Sequence, residues 1–237
     1  MLRKDTFAPD EYYHVYNRVI FNMPEFNDKY NAEKLIQAFL IANSTKSSEA
    51  FEYLRSGTNA TFEKAVEIAQ EGEKFVDILA YAIMPDHYHL LVKERREKGV
   101  TQFIHKCNIS ISKYINTKTQ RKGPLFDGLF RAKHVSSNDY LLHLSVYIHL
   151  NPLDFIAGKE WRSNSLKNWQ SAKTKLLDYP WSSLKHYLNR DFKDEIVSGE
   201  DLILSQFANK DDYERFLREW TGDPVNSLDK IGELSID

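Results

Sequence analysis

The apolar positions alternate in two periods along the chain. Residues 12–21, YYHVYNRVIF, are aromatic and β-branched and predict a first strand. Asn27 and Asp28 offer caps to a helix over about 29–43, whose apolar positions Leu35, Ile36, Phe39 and Leu40 recur at helical spacing. Residues 44–72 are polar and read as an inserted helical excursion broken near Gly57. KFVDILAYAIM, 74–84, predicts a second strand, Pro85-Asp86 a turn, and HYHLLVKE, 87–94, a third strand antiparallel to it. A helix over about 100–119 follows, with Phe103, Ile104, Cys107, Ile111 and Ile115 on its apolar face. Beyond the Gly123-Pro124 turn, residues 125–135 predict a fourth strand. The N-cap cluster 136–139 opens a helix that ends near Asn151, because Pro152 disfavours helix at the residue before it. A last helix is expected near 211–221.

Strand, helix, strand, strand, helix, strand, helix is the order of an α+β fold: a ferredoxin-like antiparallel sheet with helices on one face, plus inserted helices and a helical C-terminal extension. We divide the chain into a core, 1–155, carrying the excursion at 44–72, and an acidic, largely helical extension, 156–237. The apolar share of 42% and charged share of 28% are ordinary for a globular protein and exclude a disordered or collagen-like chain. No 18-residue apolar run and no secretory-type leader occur, so a cytoplasmic protein without membrane partners is expected. The one cysteine, Cys107, can form neither an internal disulfide nor a Cys-rich zinc site and is expected to be a buried thiol.

The net charge of −2 hides an asymmetry. Residues 93–134 hold 11 Lys and Arg against three acids, a charge of +8, which leaves −10 for the rest. Residues 191–237 hold 13 acids against 5 bases, a charge of −8. A basic middle can bind a polyanion through one face, and the acidic stretch could cover that face when nothing is bound. Arg121, Lys122, Arg131 and Lys133, flanking the fourth strand, and Asn17 and Arg18, ending the first, are candidates for contacts with DNA; ordinary solvated charge is the alternative.

His87 and His89 lie one pleat apart, so both imidazoles leave the same face of a strand while Tyr88 leaves the other. Two neutral imidazoles so placed can share one divalent cation; an exposed histidine pair is the bland reading. Tyr147 and Asn151, four apart, share one helix face. The amide oxygen of Asn151 is a hard ligand suited to magnesium or manganese, whereas packing and a helix C-cap are the bland readings of the two. His143, four before Tyr147, could act as a base or pack. Trp161, Trp169 and Trp181 could stack on bases or pin an arm across the core.

Taken together these fragments resemble a family. LAYAIMPDHYHLLV, 79–92, is similar to the signature strand of the HUH single-tyrosine transposases, and Tyr147-Ile-His-Leu-Asn-Pro152 to their nucleophile helix. EYYHVYNR, 11–18, and YPWSS, 179–183, agree, and the match is closest to the REP-associated tyrosine transposases. The resemblance spans about 12–188 without the excursion at 44–72. It implies a metal-dependent single-stranded DNA endonuclease and strand transferase that cleaves next to DNA hairpins such as REP-like repeats. It implies Tyr147 as nucleophile, giving a 5′-phosphotyrosine intermediate, with His87, His89 and Asn151 as ligands of Mg2+ or Mn2+, in a monomer or homodimer. The other reading is a non-catalytic, hairpin-binding regulator derived from a transposase.

Overall fold

The computed structural model describes residues 6–57, 59–162, 166–189 and 191–222. Strands β1 (Tyr12–Arg18), β2 (Val76–Ile83), β3 (His87–Glu94) and β4 (Arg131–His134) form an antiparallel sheet in the order β2-β3-β1-β4. This is the ferredoxin-like order the pattern predicts. The helices are α1 (Lys29–Ala42), α2 (Ser47–Ser56), α3 (Phe62–Gln70), α4 (Gly99–Lys118), α5 (Asn138–Leu150), α6 (Leu153–Ile156), α7 (Trp169–Asp178), α8 (Leu184–Leu188), α9 (Asp201–Leu204) and α10 (Lys210–Gly222). Among the described residues none is long and apolar enough to cross a membrane.

Local chemistry fixes the helix starts. Asp28 accepts from the backbone N–H of Tyr30 and Asn31 and caps α1. Thr61 caps α3 through Lys64, and Ser137 caps α5 through Tyr140. The excursion at 44–72 becomes the pair α2 and α3, which packs on α1 through Ile41, Ala50, Ala65 and Ala69.

The sheet carries helices on both faces. Tyr88 points into the side occupied by α1 and α4: its ring meets Phe39 and its hydroxyl donates to Asn108. Helices α1 and α4 therefore share one face. The alternating residues of β1 and β3 meet α5 on the other. Helix α5 is buried from Leu141 to Leu150 except for a half-buried Leu142, as a helix held between layers must be.

Two predicted strands are shorter than expected. The first stops at Arg18 because Phe21 and Asn22 take left-handed backbone, φ 59° and 52°. The fourth begins at Arg131 instead of 125 because Gly123 and Gly128 have positive φ and turn the chain; only Phe126 bridges back, to Val19.

The extension shares the core. Ile83 N–H donates to Trp181 O, Ser183 N–H to Tyr81 O and Ser198 N–H to Ile78 O, so Trp181, Ser183 and Ser198 cover the free edge of β2. Tyr179 and Tyr187 donate their hydroxyls to Ile83 O and Leu79 O. Leu217 and Trp220 of α10 are buried in the same apolar cluster as the sheet. Between 191 and 222 the acidic residues make no ion pair with the basic segment 93–134 among the described residues; the rest of that stretch, 223–237, lies outside them.

Candidate active site

The face of the sheet toward α5 gathers imidazoles from two strands. His87 and His89 follow each other on β3, with ring centroids 4.9 Å apart. His14 reaches the same face from β1, and its Nε2 shares a 2.9 Å hydrogen bond with Nδ1 of His89. His14 was not singled out by sequence reasoning. The period-2 alternation of His14, Tyr16 and Arg18 is the signal that would have found it, since Tyr16 and Arg18 stand opposite His89 and His87.

Each histidine of the β3 pair is held through Nδ1. That of His87 lies 2.6 Å from the Asp86 carboxylate, and that of His89 is bonded to His14. Neither Nε2 has a hydrogen-bond partner among the described residues. Burial, then the nearby Lys133 and His87, pulls His14 down to about 3. Burial again, then His87, His14, Arg162 and Arg18, holds His89 well below 6.5. Both rings are therefore neutral near pH 7, the form in which an imidazole ligates a metal.

Tyr147 lies over this cluster, with its ring 5.8 Å from that of His89 and 6.4 Å from that of His14. It is only 2% exposed. Arg162, from the extension, places its guanidinium 5.2 Å from the Tyr147 ring centroid and hydrogen-bonds to Tyr147. Asp154 fixes Arg162 with contacts of 2.8–3.0 Å to Nε and Nη2 and also accepts from Trp161 Nε1. Burial opposes the Arg162 charge, but the hydrogen bonds to Asp154 and Tyr147 and the Asp154 charge outweigh it and raise its pKa. Nothing in the local sequence points from Arg162 to Tyr147; the contact depends on the path of the extension.

Asn151 is buried one turn beyond Tyr147, and its Nδ2 lacks a hydrogen-bond partner. An amide turned over presents its oxygen where the nitrogen stood. The donor set thus fits a divalent cation: two open Nε2 atoms, each oriented through its other nitrogen, and one unsatisfied buried amide. Among the described residues, no group of three or more His, Cys, Asp or Glu side chains is placed to hold a metal ion.

The other candidates divide. Asn17, Arg18 and Arg131 line one cavity at the end of β1. Lys133 stands over the Tyr140 ring beside His14. Arg121 turns away to Pro124 O and lies 3.7 Å from Glu25, and Lys122 is exposed in the same turn. His143 packs against Phe216 and accepts from Trp220 Nε1, which serves the core. Trp161 packs on Trp220, and Trp169 donates to Glu214, so both pin the extension. Cys107 is buried, and burial pushes its thiol well up.

Residues 52–151 match the family described as transposase IS200 like. That segment holds His87, His89, Tyr147 and Asn151, the residues on which the resemblance rests, and leaves out β1 and the extension. No curated protein matches the chain. Among solved structures, one titled as a REP-associated tyrosine transposase bound to a REP hairpin aligns with 84% of this chain and 93% of its own, at 10% identity and a TM-score of 0.49.

Proposed function

We propose that the protein is a metal-dependent single-stranded DNA endonuclease and strand transferase that cleaves beside hairpins with Tyr147 as nucleophile. One observation carries this reading: Tyr147, from a distant helix, meets the His87–His89 pair inside one chain, on the face where both Nε2 atoms are open.

The Tyr147 oxygen attacks the scissile phosphorus. As it attacks, Tyr147 gives up its phenolic proton; the bond to the 3′ oxygen breaks and that oxygen takes up one proton, with no net change, leaving a free 3′-hydroxyl and a 5′-phosphotyrosyl link. Attack by another 3′-hydroxyl reverses the step and joins a new strand. A phenol suits this reversibility, because it leaves more readily than the alkoxide of serine would. A divalent cation held by His87, His89 and Asn151 supplies charge neutralisation at the phosphate. Arg162 favours a developing phenolate through its hydrogen bond and charge. Tyr147 is buried, with the Arg162 guanidinium against its ring, so DNA needs an opening of this packing to reach its oxygen. That burial also favours a second reading, a hairpin-binding regulator that does no chemistry.

A labelled hairpin with single-stranded flanks, incubated with Mg2+ or Mn2+ and run on a denaturing gel, separates the two. The enzyme yields a covalent adduct that Tyr147→Phe and chelation each abolish. The regulator retards the hairpin on a native gel and never forms the adduct.

A further inference from the structure

At the end of β1, a cavity of about 160 Å³ is lined by Tyr16, Asn17, Arg18, Asn22, Asp127 and Arg131. It adjoins the candidate active site: Arg18 lies 3.8 Å from Asp86, whose carboxylate holds His87. It has room for about five waters, which suits one planar base and not a base pair. Two opposite charges line it without pairing: neither the Asp127 carboxylate nor the Arg131 guanidinium has a hydrogen bond or ion pair among the described residues. The lip is built under strain. Phe21 and Asn22 are consecutive non-glycine residues in left-handed backbone, and Phe21 is 86% exposed. An aromatic ring so displayed is a platform on which a neighbouring base can stack.

The two unpaired charges narrow the ligand. A carboxylate only accepts, and guanidinium groups only donate. Of the four DNA bases, guanine alone has two adjacent donors, N1–H and the N2 amino group, on one edge and two acceptors, O6 and N7, on the next. Arginine reads those acceptors in bidentate fashion. We propose that this cavity binds one unpaired guanine of the substrate strand, with Asp127 accepting from N1 and N2 and Arg131 donating to O6 and N7. The inference rests on the reading of the protein as a single-stranded DNA enzyme and adds the base that it selects.

The test uses the full chain carrying Tyr147→Phe and fluorescein-labelled oligothymidylates with dG, dA, dC or deoxyinosine at one central position, read by fluorescence anisotropy. The dG strand is expected to bind about tenfold or more tightly than the dA and dC strands. Deoxyinosine, which lacks the N2 amino group, falls between. Asp127→Asn, at an exposed position that leaves the fold intact, is expected to bring dG within about twofold of the others. Equal binding of all strands, or a dG preference unchanged in Asp127→Asn, overturns the proposal. If equal binding occurs while the native chain still forms its adduct, the guanine cavity falls alone. If no strand binds and no adduct forms, both readings fall.

Discussion

His14 decides which nitrogen of His89 carries a proton. When His89 donates from Nδ1, its Nε2 is bare and open to a cation, but the proton of His14 then sits on Nδ1, which is buried without a partner. An orphaned buried donor costs about 1–3 kcal/mol. Under the proposed function, a cation bound at His89 would offset this cost and make the two imidazoles one unit. We expect His14→Phe to weaken Mn2+ binding by about 10–100-fold, as loss of an outer partner does at other metal histidines. A Mn2+ titration followed by electron paramagnetic resonance checks this, and unchanged affinity would contradict it. The β3 histidines are legible because they stand two residues apart in the chain. His14 lies 75 residues from His89 and only strand pairing joins them, so the sequence alone does not place it in the cluster.

At the scale of elements, the edge of β2 depends on the segment after α7. Ser183 Oγ accepts from Tyr81 N–H at 2.9 Å and lies 2.8 Å from Nε2 of the buried His149. Ser183→Ala leaves both groups unsatisfied and is expected to destabilise the fold by about 1–3 kcal/mol, measured by urea unfolding. A change below about 0.5 kcal/mol would show that the strap is not needed to close the edge. YPWSS is legible as part of the family resemblance, but its role as cover for a strand edge is not, since the sequence does not say which edge is free. The overlong fourth strand has a related cause. LFDGLFRAKHV has the right side chains throughout, and the backbone at Gly123 and Gly128 decides that only its end pairs. The same detour places Asp127 beside Arg18, which alternation along an ideal strand would not have done.

For the whole molecule, the buried histidines set a pH limit. His14 and His149 are both fully enclosed, and burial holds each at about 3 against 6.5 when unfolded. Between those values the unfolded chain binds protons that the folded chain refuses, so stability is complete above about pH 6.5 and falls as the pH drops toward 3. Each such histidine removes up to about 1.4 kcal/mol per pH unit across that window. Urea midpoints measured from pH 7 to pH 5 should fall, and a flat profile would show that these rings accept protons without unfolding. The strand order and core helices were legible because hydrophobic period and turn chemistry are local properties. The route of the extension was not. It brings Arg162 onto Tyr147, Trp220 onto His143 and Tyr213 onto His149, contacts that follow only from the packed chain.

The proposed chemistry requires that Tyr147 itself becomes linked to DNA. Proteolysis of the protein–DNA adduct, followed by mass spectrometry of the nucleotide-bearing peptide, tests it most directly. The account predicts a 5′-phosphodiester on Tyr147 that forms only with a divalent cation and is absent from His89→Ala. A link on another residue, or DNA cut with no linked peptide, would contradict it.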